Sequence, residues 1–249
     1  MNLPGQVVKI PTITEKDEDD LVDFAAYYNV DYIAASFVRS AEDVVRIRKL
    51  LGTKGNEIKI ISKIENGEGL HNFEKILEAS DGIMVARGDL GMEIPPEKIF
   101  IAQKYMIDMA NIAGKPVVTA TQMMESMTQN PRPTRAESTD VANAVLDGTD
   151  CVMLSGETAN GLYPIKTIEI MGRICTEAEN MINYCKLQNS LFESVSSITP
   201  LSKLEQECFN AVRLAEESKC NLIVTFTKSG KIAHLLAKYR PRQTILAYW

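Results

Sequence analysis

The chain is short of cysteine and histidine, has no excess of positive charge and holds no long apolar run. Its five cysteines, Cys151, Cys175, Cys185, Cys208 and Cys220, are odd in number and form no CxxC pair. That argues against a disulfide framework or a zinc site and reads as reduced, partly buried thiols of a cytoplasmic protein. The two histidines, His71 and His234, lie far apart with no partner pattern around either, and both read as helix-surface residues. The formal net charge is -6. No basic field therefore points to nucleic acid, and an anionic substrate would need local cations or a metal to hold it. No apolar run approaches the ~20 residues that span a bilayer, and the N-terminus lacks the charged-then-apolar order of a signal peptide, so no membrane association is expected. The balance of 45% hydrophobic and 24% charged residues over 249 positions is that of an ordinary globular protein, long enough for one large core and part of a second.

What is present is alternation. Apolar segments at Asp31–Phe37, Ile58–Lys63, Gly82–Ala86, Val117–Ala120 and Cys151–Leu154 read as strands. Between them, helical periodicity runs through residues 40–51 (N-cap Ser40), 68–79, Pro95 to about Ala113, Thr134–Leu146 and Pro164 to about Tyr184. Strands apolar throughout suit a parallel sheet covered on both faces. Such units build either a doubly wound open sheet or a (β/α)8 barrel. Lys63, Glu65, Asp89, Thr121 and Ser155 all fall at or just past strand C-terminal ends. A barrel gathers those ends around one mouth, which favours the barrel, although five strands do not close an eight-stranded wall. A serine-rich stretch with Pro200, residues 186–200, reads as a linker. A helix over 201–218, a strand Asn221–Phe226, a helix Gly230–Tyr239 and a strand Thr244–Tyr248 follow. The expected fold class is α/β: a partial (β/α)8 TIM barrel over 1–185, about five of eight units, then the start of a second, truncated α/β domain over 186–249.

The chemistry concentrates in two segments. Ile61-Ser62-Lys63-Ile64-Glu65-Asn66 and Met84-Val85-Ala86-Arg87-Gly88-Asp89-Leu90-Gly91 each run from an apolar strand into charge and glycine. One ammonium and two carboxylates on neighbouring strand ends suit a divalent cation beside a phosphorylated substrate. A surface salt bridge among loop residues would leave the same spacing. Gly88 and Gly91 let backbone approach a small anion closely.

Four longer segments carry a resemblance: KIENGEGLHNFEKILEASDGIMVARGDLGMEI (63–94), GKPVVTATQMMESM (114–127), NPRPTRAESTDVANAVLDGTDCVMLSGETANG (130–161) and TKSGKIAHLLAKYRPR (227–242). In this order they resemble pyruvate kinases over nearly the whole chain. The resemblance implies phosphoryl transfer from phosphoenolpyruvate to ADP, giving pyruvate and ATP, with Mg2+ (or Mn2+) and usually K+. It implies Lys63 as the cation beside the transferring phosphoryl group and the enolate, and Glu65 and Asp89 as metal ligands. The backbone N–H groups of Gly88 and Asp89 would hold the substrate carboxylate. Thr121 would contact substrate and help pass a proton, with Ser155 and Glu157 lining the proton route. Members of the family are homotetramers. The resemblance begins partway through the family's barrel, at strand 4. The K+ ligands, the lid, a phosphate-holding arginine and most nucleotide contacts are expected upstream, so the chain alone is expected to lack full activity and reads as a fragment. A non-catalytic metal- or substrate-binding assembly module is the alternative.

Other features read more plainly. Met123, Met124 and Met127 at helical spacing are core. Glu15–Asp20 is a solvated first helical turn behind an N-cap at Thr14. Arg132 and Arg135 suit a phosphate or a structural ion pair equally. Thr227-Lys228-Ser229-Gly230-Lys231 at a helix N-terminus is a candidate phosphate cradle. In regulated members of the family the matching loop takes a sugar-phosphate effector, but here Ile232 stands where a serine donor is often found.

Overall fold

The structure, a computed structural model, describes residues 11–249. The chain forms two compact units, one reaching to Ala110 and resuming over Pro116–Ala178, the other formed by Asn111–Lys115 and Glu179–Trp249.

The first unit is built on five parallel strands: β1 (Tyr32–Ala35), β2 (Lys59–Ile64), β3 (Gly82–Ala86), β4 (Val117–Ala120) and β5 (Cys151–Met153). They lie in the order β1-β2-β3-β4-β5. Each strand pairs only with its neighbours in sequence, in registers such as Lys63↔Met84 and Ala86↔Ala120. A doubly wound sheet reverses its order at a switch point, whereas a barrel wall keeps winding one way. The sheet here has no reversal, as the partial-barrel reading expects. Burial follows position. Central β3 is buried at all five residues, whereas β1 and β5 keep exposed or half-exposed residues along their length. The expectation that every strand is covered on both faces therefore holds for β3 but not for the edges, where no further strand pairs among the described residues.

The helices lying wholly or mostly in this unit are α1 (Glu15–Asp19), α2 (Ala41–Leu50), α3 (Gly67–His71), α4 (Phe73–Ala79), α5 (Arg87–Glu93), α6 (Ile99–Ala113), α7 (Arg135–Asp147), α8 (Gly156–Ala159) and α9 (Pro164–Asn180). Capping boxes start three of them: Thr14 with Asp17, Ser40 with Asp43 and Thr134 with Glu137. Each box satisfies donors that a helix cannot satisfy internally, and losing such a cap costs about 1 kcal/mol. Gly148 ends α7 at φ +100, a conformation that would strain any side-chain-bearing residue.

Two expectations need correction, and one stretch left unassigned by the sequence pattern proves helical. The helix over 68–79 is two helices. It breaks at Asn72, whose side-chain amide donates to the Arg39 carbonyl at 2.9 Å. Residues 87–93, with two glycines, form α5 directly off the end of β3, not a loop. The stretch 186–200 is not a linker: Tyr184–Ile198 is α10, and α9 ends before it at Asn180. Buried Leu191 and Val195, one helical turn apart, anchor α10, and the many serines mask that period.

Ile47, Ile60, Phe73, Ile76, Ile83 and Ile107 lead the core where β1–β3 meet their helices. A second cluster gathers Met123, Met124, Met127, Val141, Ala144 and Met171, so the three methionines are core, as expected. In the other unit, α10, α11 (Lys203–Glu217) and α12 (Lys231–Lys238) accompany the parallel pair β6 (Leu222–Phe226) and β7 (Thr244–Tyr248). Their core holds Leu191, Val195, Phe209, Val212 and Tyr239, with Phe192 stacked on Phe209 at 4.0 Å between ring centroids. Burial and the Glu205 carboxylate bonded to its hydroxyl push the Tyr239 phenol far up. All five cysteines are free thiols, Cys208 buried, Cys175 half-buried and the others exposed.

Candidate active site

Every strand of the five-stranded sheet delivers a polar group just past its C-terminal end. Lys63, the next-to-last residue of β2, extends its ammonium to Ser36 Oγ at 2.8 Å and to Glu65 Oε1 at 2.6 Å. The lysine side chain is 23% exposed and the Glu65 side chain 1%. A carboxylate so deeply buried needs partners on both oxygens. Oε2 finds the second in the backbone N–H of Phe37, just beyond β1. Phe37 adopts φ +53, unusual for a bulky residue, and this turn aims its N–H at the carboxylate. Ser36 and Phe37 therefore belong to the site although the sequence reading passed over both. The sequence placed both inside the strand Asp31–Phe37, whereas β1 ends at Ala35, and no signal in the sequence marked the turn.

Asp89 stands in the first turn of α5, half-buried. The β2–β3 register ends at Ile64↔Val85, so Glu65 is level with Ala86, and Asp89 follows three residues later. Lys63 and Glu65 are in direct contact, and topology sets Asp89 on the adjoining strand end. Gly88 and Asp89 stand in the first turn of α5, where backbone N–H groups point out of the N-terminal end of the helix. Thr121 follows β4 at φ +78, with Gln122 at φ +54. A Cβ placed on Gly88 would come 2.7 Å from the Thr121 methyl, so a glycine at 88 makes room for the Thr121 side chain to lie this close.

Ser155 precedes α8 and donates its backbone N–H to Glu157 Oε2 at 2.8 Å. The other Glu157 oxygen accepts the Met124 N–H at 3.0 Å, and Glu157 is fully buried. Glu157 thus ties the end of β5 to the turn after β4. Arg87 was not singled out in the sequence. It bonds the Thr121 carbonyl and Asp140 of α7. Nearby, burial raises the Glu137 carboxyl, but hydrogen bonds from Ser126 and Thr134 outweigh it and hold the group below the usual range. Arg132 and Arg135 are exposed, as are His71 and His234.

Thr227, Lys228, Ser229, Gly230 and Lys231 lie in the other unit. Gly230 turns at φ +76 to start α12, and Lys228, Ser229 and Lys231 are exposed.

Among the described residues no group of three or more His, Cys, Asp or Glu is placed to hold a metal. A divalent ion at the strand ends would draw on Glu65 and Asp89 and take its remaining oxygens from substrate and water. That all-oxygen, two-carboxylate set fits Mg2+.

Fold and site define the class: an α/β protein whose parallel wall presents a lysine, buried carboxylates and a glycine-containing helix turn along one rim. Comparison with known proteins narrows it. Residues 1–168 match the family described as pyruvate kinase, barrel domain, and residues 205–249 that described as pyruvate kinase, alpha/beta domain. The chain belongs to the pyruvate kinase family. It is 58% identical over 247 residues to a pyruvate kinase of Eimeria tenella, covering 99% of this chain and 46% of that protein. It is 55% identical to a cytosolic pyruvate kinase isozyme of Glycine max, covering 99% of this chain and 48% of that one. A crystal structure of a pyruvate kinase from Cryptosporidium parvum superposes with a TM-score of 0.93 at 55% identity, over 99% of this chain and 51% of that chain. The chain spans about half the length of the curated relatives it matches.

Proposed function

We propose that this chain carries the substrate half of a pyruvate kinase active site, which moves the phosphoryl group of phosphoenolpyruvate to ADP and yields pyruvate and ATP. The observation that carries the reading is the Lys63–Glu65 pair at the end of β2, flanked by the Gly88–Asp89 turn and by Thr121. Phosphoryl transfer asks a protein mainly for positioning and charge neutralisation. Lys63 is anchored by Ser36 and Glu65, so its ammonium is held where negative charge develops on the phosphoryl and enolate oxygens. The amides of Gly88 and Asp89 orient the substrate carboxylate. The Thr121 hydroxyl contacts substrate and helps pass a proton to the enolate carbon, with Ser155 beside that route and Glu157 fixing its backbone. Glu65 and Asp89 would hold Mg2+ or Mn2+, which supplies charge neutralisation when bound. K+ is expected for the reaction, with its ligands outside this chain.

The assignment of residues 1–185 to the barrel and 186–249 to a second domain belongs to the same proposal, as do a homotetrameric assembly and a cytosolic location. The location is supported by relatives in Glycine max and Solanum tuberosum that are named cytosolic isozymes. No helix among the described residues is long and apolar enough to cross a membrane. Thr227–Lys231 is proposed as a weak sugar-phosphate site, with the Gly230 turn as its supporting geometry. A coupled assay with phosphoenolpyruvate, ADP, Mg2+ and K+ tests the proposal. The chain alone is expected to show little or no turnover yet to bind Mn2+ and pyruvate. Absence of both bindings overturns the reading. Turnover at ordinary enzyme rates overturns the proposal that the chain alone lacks full activity.

A second reading is favoured by edges β1 and β5, which pair with no further strand among the described residues, and by exposed Phe24, Tyr27, Tyr28 and Tyr32 near the first of them. Open edges invite pairing, so the chain would then act as a non-catalytic assembly module. A defined oligomer on size exclusion, with Mn2+ bound and no turnover after any complement is supplied, favours it.

A further inference from the structure

We infer that Arg87 is a positioning residue whose guanidinium fixes Thr121 against Gly88. Its side chain is 11% exposed, nearly sealed from water. Nε and Nη2 both donate to the Thr121 carbonyl, at 3.1 and 2.7 Å. Nη1 donates to Asp140 Oδ1 at 2.8 Å, Nη2 reaches Asp140 Oδ2 at 2.7 Å, and Met123 Sδ lies 2.9 Å from Nη2. Asp140 thereby orients the fork that grips the carbonyl. The grip is needed because Thr121 and Gln122 both stand at positive φ, at +78 and +54. Consecutive L-residues do not stay in that region without outside restraint. The restraint comes from both sides: Arg87 on the 121 carbonyl, and Glu157 on the 124 amide at 3.0 Å. Released, the 121–122 peptide would rotate toward negative φ and carry the Thr121 side chain away from the Gly88 backbone it now touches. A lysine supplies one point charge and cannot hold carbonyl and carboxylate together as the planar fork does.

The functional consequence rests on the proposed substrate role of Thr121; the positioning itself does not. The test uses the whole chain with labelled threonine methyls. The wild type should give a strong nuclear Overhauser contact between the Thr121 methyl and the Gly88 Hα. R87M should lose it, R87K should retain part of it, and D140N should weaken it. Pyruvate binding to the Mn2+-loaded chain should fall ~10-fold in R87M, the worth of one displaced hydrogen-bonding group, with partial recovery in R87K and Mn2+ binding alone unchanged. A wild-type Overhauser contact in folded R87M overturns the inference, whatever happens to the melting temperature. If R87M does not fold, the same contact undiminished in D140N overturns it. If the wild-type chain binds no pyruvate, the proposed function fails and the Overhauser contact still decides the positioning.

Discussion

The two ends of the five-stranded sheet are built for different purposes. At the N-terminal ends, polar groups close one another off. Asp81, just before β3, accepts the Ile60 N–H at 2.9 Å and Arg48 at 2.6 Å, and Arg48 also donates to the Gly55 and Ala79 carbonyls. Asp150, just before β5, accepts the Val117 N–H at 2.9 Å, and the Thr149 hydroxyl joins Thr119 beside it. No residue flanking these ends stands at a strained φ apart from Asn29, at the close of the first helical segment. At the C-terminal ends, Phe37, Thr121 and Gln122 are all in the left-handed region, and Glu65 and Glu157 are buried carboxylates. One end spends its polar groups on closure. The other keeps strain and charge in place, and parallel barrel walls in general put stability at the bottom and chemistry at the top.

The largest expected break in this contrast is at Glu65. E65Q keeps the volume and removes the charge, so Mn2+ binding should weaken by ~10²-fold or more, since even outer-shell partners of a metal are worth 10- to 100-fold. The melting temperature should fall as well, because the buried Gln NH2 would face a donor, either Lys63 or the Phe37 N–H, where a carboxylate oxygen now accepts. Calorimetric titration against Mn2+, with a thermal melt alongside, checks both halves. Unchanged Mn2+ affinity would remove Glu65 from the proposed metal site.

At the other end stability should fall without any loss of binding. D81A strands the Ile60 N–H and one arm of Arg48 and should cost about 1–3 kcal/mol, the usual penalty for an orphaned buried partner. Mn2+ and pyruvate binding should not change. Urea denaturation measures the loss, and a fall in ligand affinity as large as that in E65Q would erase the distinction between the two ends.

The sequence shows how the two ends differ in legibility. All five strands could be read because apolar runs of four to six residues carry their own signal, and Ser40 and Thr134 marked two helix starts. Lys63, Glu65 and Asp89 were visible because charge directly after an apolar run is anomalous. Arg87 was hidden: its partners Thr121 and Asp140 lie 34 and 53 residues away, and no periodicity links them. Ser36 and Phe37 were hidden by a backbone turn that only the Glu65 contact explains. α5 was masked by Gly88 and Gly91, and α10 by its serines, since both compositions ordinarily mark loops.

Acid sharpens the comparison from another side. Burial raises the Asp81 carboxyl, but the Ile60 amide and Arg48 more than offset it, so the folded-state pKa lies below the usual value; Glu137 is lowered likewise by its Ser126 and Thr134 bonds. A lowered pKa means that the unfolded chain takes up protons first. Stability is then fully present above the ordinary carboxylate range and falls as pH drops through it toward the folded-state values. Denaturation midpoints should therefore decline below about pH 4. E137Q, which also weakens the cap of α7 by about 1 kcal/mol, should flatten part of that decline. A slope unchanged in both E137Q and D81N would assign the acid sensitivity to other carboxylates.

The smallest effect tests the idea of stored strain most directly. At φ +78 a threonine is held where glycine is at ease. T121G removes a conformational cost of about 1–2 kcal/mol and adds glycine's backbone entropy, about 0.5–1 kcal/mol. It also gives up the methyl packed on Gly88. The net expectation is a stability equal to wild type or higher by less than about 1 kcal/mol, together with a clear loss of pyruvate binding. A substitution that stabilises while it disarms marks a residue kept for its chemistry. A T121G chain that melts several degrees lower would instead make Thr121 a packing residue, and the difference between the two ends of the sheet would then lie in their charges alone.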